Sequence, residues 1–155
     1  MNAMTVFHLI NLFFAGILAG MEIAIHYGLH APTKVLSDQS QLQLRQALVR
    51  RLRVLVPAFF LPAALSGIGV AVLDGIAPGF WFRCAAILAV LVRVLIRVIG
   101  TVPINAATVA RDSSAPPENW KAQIDHAERF HVLGVWAAVT AFACFLTATA
   151  LKLAQ

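Results

Sequence analysis

Glu22, His26 and His30 stand four residues apart at the end of one long apolar stretch, and His126 and His131 bracket the start of another. Positions four apart share one stripe of a helix, so the first three would present a carboxylate and two imidazoles along a single line. Imidazole suits iron, copper and zinc, and a mixed histidine and carboxylate shell with an open position activates dioxygen on iron or copper. Glu22, His26, His30 and His126 are the candidate metal ligands. Two histidines on facing helices would instead hold haem b axially, which makes His30 and His131 the cofactor-binding candidates. With no cofactor at all, a histidine such as His126 would serve as general base toward a phenol or an acidic C–H. Asn105, Arg129 and Arg97 would then steady the resulting oxyanion, and Trp120 would line an aromatic site.

The elements that must position these groups follow from composition. A chain of 155 residues with 60% hydrophobic content, 12% charge and a mean hydropathy of +0.80 carries more apolar surface than a soluble domain of that size buries. A helix crosses a bilayer with about 20 apolar residues, and residues 6–27, 54–73, 80–100 and 132–151 approach that length. The expected architecture is an all-α integral membrane four-helix bundle forming one domain over residues 1–155. The first stretch reads as a span rather than a cleavable signal, since no positive charge precedes it and it contains Glu22 and His26.

Lys34, Arg45, Arg50, Arg51, Arg53, Arg111, Lys121 and Arg129 fall in the two connections at one end, against Arg83 and Lys152 at the other. The positive-inside rule therefore predicts both termini outside an inner or plasma membrane, with the candidate site near its cytoplasmic face. The net charge of +5 reads as this topology signal and as a contact to anionic lipid. No nucleic-acid-binding module accompanies it, and nucleic acid is excluded as a partner.

Between the spans, Pro32 is expected to end the first helix, and residues 38–53 to form a short amphipathic helix lying at the cytoplasmic interface and running into the second span, with its four arginines toward lipid. Residues 118–130 are expected as a helical extension before the fourth span, its start reaching back to Pro116. Pro103 should stop or kink the third span, leaving Asn105 at the mouth of the bundle. Arg93 and Arg97 share a face of that span at the depth of Glu22. They either pair with it or hold an anionic ligand bidentately. His8, alone at the opposite end, joins nothing, and residues 74–79 read as a turn without chemistry. Cys84 and Cys144 read as buried apolar thiols, and the glycines of the spans allow packing between subunits of a homo-oligomer.

The run Ala15-Gly16-Ile17-Leu18-Ala19-Gly20-Met21-Glu22 through His26-Tyr27-Gly28, the segment from Arg45 to Pro57, Pro103-Ile104-Asn105, and Trp120 followed nine residues later by Arg129 resemble a family of small four-helix membrane proteins. That family, long known only as a domain of unknown function, includes the anthrone oxygenases of polyketide pathways. The resemblance implies an oxidoreductase that inserts oxygen into an electron-rich aromatic, with Asn105, Trp120 and Arg129 at matching positions and Glu22 and His26 matching the polar positions of the first helix. His30, His126 and His131 lie outside the family pattern and favour a bound metal or haem.

These readings converge on a membrane-bound monooxygenase that consumes dioxygen and acts on a small aromatic or apolar substrate, with copper, iron, haem b or no cofactor. Two alternatives stand beside it: a b-type haem or electron-transfer protein, and a non-catalytic membrane interaction or transport subunit.

Overall fold

In the computed structural model, residues 3–113 and 117–154 are described, apart from the side chains of residues 3, 30 and 31. All regular structure among them is helical, and four helices are long and apolar enough to cross a membrane: Met4–Leu29, Asp38–Asp74, Phe80–Val109 and Trp120–Leu153. They are called helices one to four below. Helix one packs on helices two and four, helix three packs chiefly on helix four, and the seam between helices two and three is the loosest of the bundle.

Helices two and four are longer than a bilayer requires. At 1.5 Å per residue their 37 and 34 residues extend about 55 and 50 Å, against roughly 30 Å of hydrocarbon. Their apolar windows lie at one end, so both project beyond it at the other, where helix one finishes. There Leu42, Trp120 and Ile124 form a buried cluster, Lys121 pairs with Asp38 at 2.7 Å, and Gln46 donates to the carbonyls of Thr108 and Arg111. Residues 38–53 therefore do not lie flat at an interface. They continue helix two upright, because Leu42, Gln46 and Val49 recur on one face and bury against helix four and the end of helix three. Arg50, Arg51 and Arg53 face outward as expected, whereas Arg45 turns inward. The extension before the fourth span is likewise the first part of one unbroken helix starting at Trp120, and Pro116 lies outside the described residues.

The first helix ends at Thr33, directly after Pro32 as expected, whereas Pro103 does not stop the third. Each proline is preceded by a wide π-helical segment, Ala24–Leu29 and Arg97–Thr101, after which α-helix resumes to Thr33 and Val109. Proline removes one N–H from the ladder, and a stretch of i to i−5 bonding, such as that from Val102 N–H to the Arg97 carbonyl, shifts the register across the gap.

Glycines serve packing inside the chain. A Cβ at Gly67 would stand 2.6 Å from the Phe145 ring, and one at Gly100 would run into the Phe130 side chain, so both permit close helix contact. Asn11, buried in helix one, donates to the Ala63 carbonyl of helix two at 2.9 Å. Cys84 faces outward and Cys144 is half-buried, so neither is the buried thiol expected.

His8 is not alone. Its ring nitrogens meet Thr149 Oγ1 and Asp74 Oδ2, each at 2.9 Å, and the enclosed Asp74 carboxylate also takes Lys152 and lies 3.4 Å from Arg83. Fully buried Arg83 donates to the carbonyls of Gly75, Ala77 and Pro78. The turn at 74–79 is thus clasped to all its neighbours, which satisfies backbone groups that an apolar surround would leave unpaired.

Candidate functional site

At the other end lie two linked clusters. The first centres on Glu22, which is wholly buried. Arg93 Nη2 donates to its Oε1 at 2.6 Å, Arg97 Nη2 donates to its Oε2, and His131 Nδ1 lies 3.8 Å from Oε2. The Arg93 guanidinium also stands 5.1 Å above the Phe60 ring. Of the two expectations for the arginines, pairing with Glu22 is the one found, and it involves both. Glu22 is consequently committed to holding two cations rather than presented as a metal ligand.

The second cluster is one step further along. His26, Glu128 and His131 bring their donor atoms within 4.8 Å of one another. His26 Nδ1 is 3.5 Å from Glu128 Oε2, the two imidazole rings are 5.4 Å apart and tilted, and Arg45 Nη1 donates to Glu128 Oε1 at 2.7 Å. His131 is buried while His26 and Glu128 are partly so. His131 thus turns Nδ1 toward the Glu22 carboxylate, and its Nε2 is buried without a hydrogen-bond partner.

A cavity of about 100 Å³ adjoins both clusters, lined by Arg97, Thr101, Asn105, Glu128 and His131 against apolar side chains such as Leu48 and Ile124. Thr101 Oγ1 and Asn105 Oδ1 on this lining are, like His131 Nε2, buried with no partner. Arg45 Nε and Arg97 Nε on the same lining are also without a partner, so five such atoms surround one cavity, where buried polar groups are ordinarily satisfied. Beside it, an open groove of about 330 Å³ runs between helices two and three and shares Val49, Leu52, Arg97 and Asn105 with it.

Comparison with protein-family models, with curated proteins and with solved structures finds no match.

Helix periodicity explains which expected residues converge. On helix four, Ile124, Ala127, His131, Gly134 and Val135 are buried, a run of three- and four-residue steps that places Glu128 on the same side. His126 and Arg129 lie five and two residues from His131, which turns both to the far side, where both are exposed and His126 packs edge-on against Phe130 with centroids 5.1 Å apart. Their three-residue spacing does give them a common face, but the outer one. Trp120 is buried against Leu42 and Ile124 and lines neither the cavity nor the groove. The side chain of His30 lies outside the described residues. Of the remaining candidates, His26, His131, Arg97 and Asn105 stand at the site.

Glu128, Arg45 and Thr101 were not anticipated. Glu128 carried a legible signal, because Glu128-Arg129-Phe130-His131 has the Glu-x-x-His spacing with which helical bundles present a carboxylate and an imidazole inward together. Arg45 was legible as a member of the buried face of Leu42, Gln46 and Val49. Thr101 depends on the π-helical turn and could not be placed by α-helical counting.

Proposed function

We propose that this chain is a membrane-bound oxidoreductase of the anthrone-oxygenase kind, which oxidises a small aromatic molecule in the cavity beside His131. On the positive-inside argument, the termini lie outside an inner or plasma membrane and this end faces the cytoplasm. The observation that carries the reading is His131 Nε2, buried and partnerless, beside His26 and Glu128 at the wall of a cavity.

Two imidazoles and one carboxylate fit divalent iron with open positions better than copper, and the Glu22 carboxylate behind His131 is the kind of outer partner that orients a ligating imidazole. His26, Glu128 and His131 would hold the ion. Bound there, it would supply dioxygen activation. A haem fits poorly: Glu128 stands against both rings, and a cavity of about 100 Å³ admits no macrocycle. A purely structural role leaves the unsatisfied Thr101 Oγ1, Asn105 Oδ1 and His131 Nε2 unexplained.

The chain's own groups have definable tasks. Arg97 donates to a substrate oxygen and stabilises negative charge on it, Asn105 fixes that oxygen's position, and Leu48 and Ile124 exclude water. For an anthrone the reaction balances without an external reductant. The ring CH₂ becomes C=O with one oxygen atom of dioxygen, and the four electrons released reduce both atoms, the second leaving as water with the two methylene protons.

The test is metal content and dioxygen uptake with anthrone on detergent-purified protein, wild type beside His131→Ala and Glu128→Ala. Stoichiometric iron lost in both variants, with one dioxygen consumed per anthrone, is expected. Iron retained by both variants, or anthrone oxidation indifferent to both, would refute the assignment.

A further inference from the structure

The groove between helices two and three opens sideways. Val98 and Val102 on its lining are 58% and 55% exposed, and in a chain with four membrane-crossing helices that outward side meets lipid. The groove runs from Arg93 to Asn105 on helix three, which is about 18 Å along the axis, and at its inner end it shares Arg97 and Asn105 with the cavity. The two spaces therefore lie side by side, with Arg97 and Asn105 in the wall they share.

Its chemistry is specific. Glu22 answers two guanidinium groups, so the buried cluster carries one cation in excess, and excess charge in such a place calls for an anion or a strong acceptor. Arg97, the outer of the two, is the one that reaches the junction of groove and cavity. At the same junction Asn105 Oδ1, an acceptor, has no donor. A ligand that meets both needs one oxygen able to accept from Arg97 and donate to Asn105, and a hydroxyl does this whereas a carboxylate has no proton to give. Along the groove, Pro57, Val94, Val98 and the Phe60 ring offer a wall for an apolar, aromatic body.

We propose that the site takes a membrane-dissolved phenol, which enters laterally between helices two and three and seats its hydroxyl between Arg97 and Asn105. This rests on the oxidoreductase reading and names the substrate class and its route. It also resolves a difference of size, because the cavity is too small for a polycyclic aromatic while cavity and groove together reach the volume of ordinary ligand sites.

The probe is 1-hydroxypyrene, with pyrene as its hydroxyl-free partner, added to the protein in phosphatidylcholine nanodiscs and followed by energy transfer from tryptophan. Protein without iron is used, so the outcome is independent of turnover and of whether His26, Glu128 and His131 hold a metal. Saturable transfer displaced by 1-naphthol is expected, with affinity at least about tenfold above that for pyrene, because the analogue leaves Asn105 unpaired. Asn105→Leu should erase that preference. Val98→Phe and, separately, Val56→Phe fill the groove from its two walls and should each weaken binding about tenfold, one variant covering for misfolding of the other. Equal binding of pyrene and 1-hydroxypyrene by the wild type would overturn the hydroxyl seat. Unchanged binding in folded groove-filled variants would overturn the lateral route, and displacement by oleate as readily as by 1-naphthol would overturn the phenol in favour of a fatty acid.

Discussion

Replacing Glu22 by glutamine tests the polar heart of the bundle. The carboxylate is wholly buried and receives Arg93 at 2.6 Å as well as Arg97, whose side chains are only 4% and 18% exposed. Unit charges about 4 Å apart at an effective dielectric near 20 attract by about 4 kcal/mol, so two pairs give roughly 8 kcal/mol before the desolvation of three ions is set against it. The net effect of removing one buried partner is about 3–5 kcal/mol, since the substitution leaves two guanidiniums facing each other with no anion between them. Glu22→Gln should lower stability by that amount in reversible unfolding by dodecyl sulfate in mixed micelles, followed by tryptophan fluorescence. Adding Arg93→Met removes one of the stranded cations and should restore roughly 1–3 kcal/mol. A loss below about 1 kcal/mol for the single variant, or no recovery in the double, would show that the arginines find other partners and that Glu22 does not organise the site.

Other perturbations separate the two ends and two faces of the bundle. Asp74→Asn strips the clasp of the anion that His8, Arg83 and Lys152 share, and should cost about 3 kcal/mol in the same unfolding assay with iron content unchanged. Gly100→Ala drives a methyl into the Phe130 stem and should cost about 1–3 kcal/mol, whereas at Gly20 the methyl meets nothing within 4 Å and should stabilise by about 0.5–1 kcal/mol. His126→Ala and Arg129→Ala, on the outer face of helix four, should leave iron content and phenol binding at wild-type levels, and loss of either property would mean that helix four is rotated from the orientation described.

The four crossing helices were legible because each contains an apolar run of bilayer length, and the approach of Glu22 to Arg93 and Arg97 was legible from depth alone. Depth was also the source of the errors. Grouping residues by level admits everything in a layer, His126 and Arg129 beside His131 included, although the helical angle sets those two on the opposite side. The same angle would have selected Glu128 and Arg45, whose neighbours Ile124, Ala127, Leu42 and Gln46 mark the buried stripes. What no angle gives is the turn at Arg97–Thr101, where the residue count per turn changes, nor the seam between helices two and three, which depends on how four curved surfaces meet. The clasp at Asp74 escaped for a further reason: His8, Arg83 and Lys152 come from three distant segments and only the folded chain assembles them.

The two π-helical turns sit at corresponding places, one in each of the helices that bring His26 and Arg97 to the site. Relative to an uninterrupted α-helix, such a turn accommodates about one additional residue, and a single residue corresponds to about 100° of rotation. Everything before Arg97, including Arg93 and its grip on Glu22, keeps one orientation, while Thr101 and Asn105 beyond it take another. The wide turns therefore mark the boundary between the apolar scaffold and the polar rim. A one-residue insertion or deletion there would exchange the groups facing the cavity without disturbing the membrane-crossing part, which gives the bundle a way to change what it recognises while keeping how it folds.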